Sequence, residues 1–307
     1  MPYLQLMRPG QWTKNLFLLA GLIFGQKLSD PVSVVTALVG FVGFCLLSSA
    51  VYVLNDVHDR KEDQFHPVKR MRPVAAGQIS VGAALVFAIV LLAVGLIGAY
   101  RLDRGFFLVA LVYVVLQMAY TAWLKHVVLL DVIVIGLGFV LRAVAGAVLV
   151  HVVISHWLVL CTFTLCLFLG FSKRRCELNV LAGNGGGDAA GHRKTLAAYT
   201  PDLLNHMTTL TAGIAVVSFM LYATDKRTLD VFGTNYLVYT LPFVVYAIFR
   251  FALLVEHGRV DGPTAVVLRD RPFQAAIVLW TMAVLAVIYR GQTLRGWVEA
   301  LLEHKGP

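Results

Sequence analysis

Residues 33–63 read SVVTALVGFVGFCLLSSAVYVLNDVHDRKED. From Ser33 to Leu54 there is no charge. That run is long enough to cross a bilayer core as one helix, which takes about 20 residues. Asn55, Asp56, Asp59 and Asp63 follow with no linker. Continued as a helix, they fall at about 0°, 100°, 40° and 80° around the axis. Four oxygen-bearing side chains then share one face. Carboxylates stacked in this way repel, and a divalent cation relieves the repulsion. Mg²⁺ takes oxygen ligands and is typically held by one or two carboxylates plus substrate phosphates. The pattern therefore points to a Mg²⁺-diphosphate site, with Mn²⁺ able to substitute and with Asn55, Asp56, Asp59 and Asp63 as ligands. A solvated helix end, with Asp59 and Asp63 paired to Arg60 and Lys61, is the competing reading. The acidic run directly abuts the apolar one, which argues against it.

The rest of the chain has the same character. Of 307 residues, 59% are hydrophobic and 14% charged, with a mean hydropathy of +0.77. Soluble domains run at about 45–50% and about 25%. A soluble enzyme, a disulfide scaffold and a disordered chain are excluded, and an all-α polytopic membrane protein remains. We expect nine spans, at about 11–27, 33–54, 79–99, 105–122, 128–150, 154–172, 204–223, 235–255 and 273–290, forming one domain over 1–307. The first is expected to be a retained helix rather than a cleaved leader, since no small-residue cleavage site follows it. The four cysteines offer no secreted framework.

Lys and Arg distribution sets the expected orientation. With the N-terminus cytoplasmic, 16 basic residues fall on the inner side and 8 on the outer, while Arg142 and Arg250 fall within spans. The formal net charge of +9 is read as this bias and not as a nucleic-acid signal, and no nucleic-acid motif is present. The long charged loops, 55–78 and 173–203, both fall on the inner side, so the chemistry is expected to face the cytoplasm at the plasma membrane.

Three further clusters stand out. Lys69-Arg70-Met71-Arg72-Pro73 follows the acidic face and suits anionic oxygens of the same substrate. Pro73 stiffens the loop there. Tyr120 and Lys125 end the fourth span, and Asp131 and Arg142 lie within the fifth. Ionisable residues inside a membrane mark sites or pathways by default. At about 16 Å of helical rise, Asp131 and Arg142 are too far apart to pair and each needs another partner. Lys173-Arg174-Arg175-Cys176-Glu177 ends the sixth span. An internal Glu177 pair with Lys173 or Arg174 is the simple reading, and a second half-site is the functional one.

Asn55-Asp56-x-x-Asp59-x-x-x-Asp63 followed by Arg72-Pro73 resembles the first aspartate-rich motif of the UbiA superfamily of intramembrane transferases. Tyr120-x-x-x-Leu124-Lys125, then Asp131 and Arg142, is similar to it too. The resemblance implies a helical bundle that binds a Mg²⁺-diphosphate donor. Where that superfamily usually carries a second aspartate pair, this chain has Lys173-Arg174-Arg175-Cys176-Glu177. In this, in the opening Leu6-Met7-Arg8-Pro9-x-Gln11-Trp12-x-Lys14-Asn15 and in Asp261-x-Pro263 to Arg269-Asp270-Arg271-Pro272, it resembles the decaprenyl-phosphate phosphoribosyltransferase subfamily. That resemblance implies transfer of 5-phosphoribose from phosphoribosyl diphosphate (PRPP) to decaprenyl or another polyprenyl phosphate, supplying cell-wall arabinan. It implies Asp56, Asp59, Asp63 and Lys173 as catalytic. It also implies Lys14, Lys69, Arg72, Tyr120, Lys125, Arg142, Arg174 and Glu177 as substrate-binding. The alternatives are a prenyltransferase acting on an aromatic quinone precursor, which predicts the missing aspartate pair, and a transporter for an anionic solute. The bilayer is the expected environment, and homo-oligomerisation is admitted on base rates alone.

Overall fold

The computed structural model describes residues 1–65, 68–183, 194–257, 266–267 and 269–303. The glycine run Gly185 to Gly187, the loop basic residues Arg193 and Arg259 counted on the inner side, and Asp261 and Pro263 lie outside them. The described residues form α and 3₁₀ helices and no strand. Among the described residues eight helices are long and apolar enough to cross a membrane, and the chain is a multi-pass membrane protein. Two compact units divide it: residues 1–154 with 194–199, and residues 155–183 with 200–303.

The first unit opens with α1 (Pro2–Met7), a 3₁₀ segment (Pro9–Leu19) and α2 (Ala20–Phe24). Then come α3 (Pro31–His58), α4 (Arg60–Phe65), a short 3₁₀ turn (Lys69–Met71), α5 (Val81–Leu102), α6 (Arg104–Ala122) and α7 (Leu130–Leu149). Helix starts follow local chemistry. Asp30, Ser80 and Asp103 accept from backbone N–H groups of Val32, Ala83 and Phe106 at the N-termini of α3, α5 and α6. Helices α3 and α7 are the inner ones, with 50% and 56% of their most apolar windows buried, against 22% for α5. Phe44, Leu47, Phe106, Tyr113 and Leu149 form the core between them. On α5 the open face is apolar, with Val86, Ile89, Val90 and Ile97 at least half exposed, as a lipid-facing surface requires.

The expected first span at 11–27 is not one continuous helix. Its polar residues are engaged by neighbouring elements. Trp12 Nε1 donates to Ser49 Oγ at 3.0 Å, and Asn15 Nδ2 donates to Ser48 Oγ at 3.1 Å. The segment is drawn against α7, where the Leu18 carbonyl oxygen takes the place a Cβ on Gly146 would need. A Cβ on Gly21 would lie 2.6 Å from Ala147 Cα. Backbone this close leaves no room for a Cβ at either position, and the two glycines make the approach possible.

The second unit contains α8 (His156–Gly183), α9 (Pro201–Thr224), α10 (Lys226–Phe232), a 3₁₀ turn (Tyr236–Thr240), α11 (Leu241–Glu256) and α12 (Arg271–Glu303). Phe168, Ala215, Ile248, Phe251 and Leu254 make its core. Asp270 caps α12, accepting from the Phe273 N–H at 2.8 Å. Both its oxygens also accept from Arg250 of α11, at 3.1 and 2.8 Å. The hydrogen bond from Arg250 holds the Asp270 carboxyl below the usual carboxylate range. The intramembrane Arg250 is thus paired structurally.

The Gly146 contact gives a stability test. Gly146→Ala pushes the 3₁₀ segment off α7, and overpacking of this kind costs about 1–3 kcal/mol. A lower thermal midpoint of the purified protein in detergent is expected. Gly98→Ala in α5, where a Cβ meets nothing within 4 Å, is expected to leave the midpoint unchanged or raised, since Ala outranks Gly inside a helix.

Candidate active site

The acidic face forms as its spacing requires. Helix α3 ends at His58, and Asp59 is its cap residue. The backbone ladder still continues, with Asp59 N–H to the Asn55 carbonyl and Asp63 N–H to the Asp59 carbonyl, both at 2.9 Å. Asn55 Nδ2 donates to Asp59 Oδ2 at 3.0 Å, one turn on. Asp56 and Asp63 are sealed at 2% and 3% exposure. Arg72 joins these two, its Nη1 lying 3.2 Å from Asp56 Oδ1 and 2.6 Å from Asp63 Oδ2. The pairing with Arg60 and Lys61 that a solvated end would show is not among the ion pairs of the described residues.

Every carboxylate here has a basic partner brought from elsewhere. Arg8 pairs with Asp56 Oδ1 and lies over the Tyr52 ring at 5.0 Å. Lys125, buried on the 3₁₀ turn Leu124–His126, pairs with Asp59. Gln78 and Ile79 N–H groups both donate to the Pro73 carbonyl, at 2.9 and 3.2 Å, which closes the turn behind Arg72. Lys69 is half-buried on its 3₁₀ turn, and Tyr120 is half-buried near the end of α6.

Among the described residues no three His, Cys, Asp or Glu side chains come together to hold a metal by themselves. The donor set still fits a hard divalent cation. It is all oxygen, and one guanidinium nitrogen touching both Asp56 and Asp63 marks a point where two carboxylates hold positive charge. Mg²⁺ sites of this kind need only one or two carboxylates, with substrate phosphates completing the shell.

Arg142 is at 5% exposure in α7. Its Nε donates to Asn15 Oδ1 at 2.7 Å, its Nη1 to the Gly138 carbonyl at 2.8 Å and its Nη2 to Tyr113 Oη at 2.7 Å. The rings of Tyr113 and Phe139 lie 4.7 and 5.3 Å from its guanidinium carbon. All of these partners are neutral, so the guanidinium keeps its positive field inside the unit. Lys14 is half-buried on the 3₁₀ segment, next to Asn15. Asp131 takes a separate route. It accepts from Tyr199 Oη at 2.6 Å, and Tyr199 Oη accepts in turn from the Leu129 N–H at 2.8 Å. Leu129 sits at φ 69°, an awkward conformation for a branched residue, and this hydrogen bond holds it. Arg142 and Asp131 thus find the separate partners that their spacing demanded.

In the second unit, Arg174 is buried and pairs with Glu177 at 2.6 Å, while Lys173 lies 3.9 Å from the same carboxylate and is 55% exposed. The simple helical pairing is observed. Arg175 donates to Asn205 at 3.0 Å and to Asn179, joining α8 to α9.

The sequence pattern marks no role for Arg8, Asn15, Tyr113 or Tyr199. Arg8 and Asn15 stand in the stretch Leu6 to Asn15, where a polar Asn opening an apolar run is a usable signal. Tyr113 and Tyr199 carry no local signature, because their partners are 29 and 68 residues away.

Residues 15–278 match the model of the UbiA prenyltransferase family. Decaprenyl-phosphate phosphoribosyltransferase of Mycolicibacterium smegmatis is 35% identical over 294 residues, covering 92% of this chain and 91% of that protein. The enzyme of the same name from Mycobacterium tuberculosis is 35% identical over 289 residues, covering 93% of each. Among solved structures, a UbiA homologue from Archaeoglobus fulgidus bound to GPP and Mg²⁺ superposes with a TM-score of 0.70 at 22% identity, covering 94% of this chain and 99% of that one.

The Tyr199 contacts yield a coupling test. Tyr199→Phe removes the hydroxyl that donates to Asp131 and accepts from the Leu129 N–H, and an unsatisfied buried N–H costs about 1–3 kcal/mol. Tyr199→Phe and Asp131→Asn should each lower the thermal midpoint, and the double variant should lose less than the sum. Additive losses would separate the two residues.

Proposed function

The chain belongs to the UbiA prenyltransferase family, and on that footing we propose that it transfers 5-phosphoribose from PRPP to a polyprenyl phosphate such as decaprenyl phosphate, releasing diphosphate. The structural observation that carries this is the place between Asp56 and Asp63 where Arg72 Nη1 reaches both carboxylates. A centre that holds positive charge between two acids, ringed by Arg8, Arg72 and Lys125, suits a metal-diphosphate group. The names of the whole-length relatives support a phosphoribosyl donor and a lipid phosphate acceptor. So does charge arithmetic. PRPP and a lipid phosphate bring three phosphate groupings, and Lys173-Arg174-Arg175 supplies cations where the wider superfamily's pattern has aspartates.

Asn55, Asp56, Asp59 and Asp63 would hold Mg²⁺, or Mn²⁺ in its place. Bound there, the ion supplies charge neutralisation for a diphosphate leaving group. Arg72 and Lys125 lie beside the carboxylates and would pair with the same anion once a cation takes the point that Arg72 Nη1 fills. Lys14, Lys69, Arg142, Lys173 and Arg174 would hold the 5-phosphate and the lipid phosphate, with Tyr120 and Glu177 as further substrate-binding residues. Buried Arg142 is fixed by three neutral acceptors, so its charge is directed at an anion without reorganisation. The acceptor needs no general base, because a phosphate monoester is already largely ionised at neutral pH, its second pKa being about 6. Displacement at the ribose C1 by that oxygen inverts the centre.

Labelled PRPP incubated with the purified protein and decaprenyl phosphate tests the reading. A labelled lipid should form only with Mg²⁺ or Mn²⁺ present. Asp56→Asn and Asp63→Asn should abolish nearly all turnover. Lys173→Ala and Arg174→Ala should each weaken donor or acceptor use by roughly 10- to 150-fold, the scale of one charge-assisted contact. Full activity in excess chelator removes the metal, and an unlabelled lipid removes the donor assignment.

The bias of basic residues supports a plasma-membrane protein with a cytoplasmic N-terminus and a cytoplasmic site. Single cysteines placed at positions 64 and 190 of a cysteine-free variant should react with an impermeant thiol reagent only after the cytoplasmic side is opened. Labelling in intact cells would reverse the orientation.

A further inference from the structure

Among the described residues, Arg8 is the one basic partner of the acidic face that lies before the first long helix, and its backbone is unusual. It sits at φ 53° and ψ 62°, between α1 and the 3₁₀ segment. Glycine enters this left-handed region freely, while a side chain resists it. At such a position the identity of the side chain has to come from what it touches. Its guanidinium pairs with Asp56 Oδ1, the oxygen that Arg72 also reaches, and stacks over Tyr52. The two partners differ sharply in access. The Arg8 side chain is 23% exposed and Asp56 is 2% exposed. Asp56 is closed to water, whereas the Arg8 guanidinium that pairs with it is partly open to it.

We propose that Arg8 is a removable counter-ion of Asp56: it holds the carboxylate when no metal-bound donor is present, yields it to the divalent cation when the donor binds, and then pairs with the donor's diphosphate oxygens. The inference rests on the reading of Asp56 as a metal ligand. Its physical basis is competition. A carboxylate oxygen shared by two guanidinium groups is a weaker ligand for a cation than a free one. Once the cation has taken that oxygen, the released guanidinium is a forked donor beside an anionic substrate. Arg8 therefore opposes metal alone and favours metal with donor. A purely structural Arg8 would do neither. The N-terminal arm is anchored independently, since the Ser49 hydroxyl donates to the Met7 carbonyl at 2.9 Å and Leu6 is fully buried.

The test measures Mn²⁺ binding by purified protein, by electron paramagnetic resonance of the free ion, with and without PRPP. Arg8→Gly suits the backbone conformation and removes the guanidinium. Arg8→Gln is the second variant, retaining a long polar side chain. Without PRPP, both should bind Mn²⁺ several-fold more tightly than wild type. With PRPP, the gain should vanish, and the KM for PRPP should rise about tenfold, the scale of one charge-assisted contact. Asp56→Asn should lose the Mn²⁺ site in either background. Unchanged or weaker Mn²⁺ binding in folded Arg8 variants, with Asp56→Asn still abolishing it, overturns the counter-ion role alone. Mn²⁺ binding by wild type that is indifferent to Asp56→Asn overturns the metal reading and this inference with it.

Discussion

A carboxylate sealed at the end of an apolar helix is tolerable only when cations or donors replace the water it has lost. Asp56 and Asp63 impose that condition on the first unit, and Arg72 meets it by touching both. The chain around them is arranged accordingly. The loop after α4 turns back so that Arg72 faces the helix end, and the Pro73 carbonyl closes the turn. Beneath it, Val53, Val74, Ile79 and Ala84 pack with Leu6 into a small core. The N-terminal arm is held by the same core and delivers Arg8 to the same carboxylate. Removing a partner from such a network leaves a buried charge uncompensated, which is why its members are sensitive as a group.

Arg142 satisfies a different constraint. Its partners are an amide, a backbone carbonyl and a phenol. These satisfy its N–H groups without cancelling its charge. The acidic residue on the same helix, Asp131, is meanwhile used to hold Tyr199 and the turn at Leu129. One helix thus carries a buried anion committed to structure and a buried cation left electrostatically active. In an apolar medium that cation is a strong attractor for an anionic group.

The basic run Lys173–Arg175 lies inside α8, eight residues short of its end at Gly183 and not at a helix terminus. Glu177 takes Arg174 and, at longer range, Lys173. An exposed pair along a helix contributes only tenths of a kcal/mol, which is the scale of the Lys173–Glu177 contact, with Lys173 55% exposed. Arg174 is buried at 3% exposure and is held more closely by the same carboxylate. The two cations are therefore unequal candidates for the same role.

Span positions were legible in the sequence because hydrophobic runs of about 20 residues have few other uses. The eight long helices fall where those runs do. The clustering of Asn55, Asp56, Asp59 and Asp63 was legible for a similar reason: helical periodicity brings i, i+4 and i+8 to one face. Tertiary structure decided what local pattern could not carry. The segment at 11–27 is apolar enough to suggest a span, yet it is 3₁₀ up to Leu19 and α-helical only over Ala20–Phe24, with its backbone against α7 at Gly146 and Ala147. Which cations meet the acidic face was equally hidden. Arg8 and Lys125 lie 48 and 66 residues from their partners, and pairings of that separation are set by how the helices pack, not by any spacing along the chain.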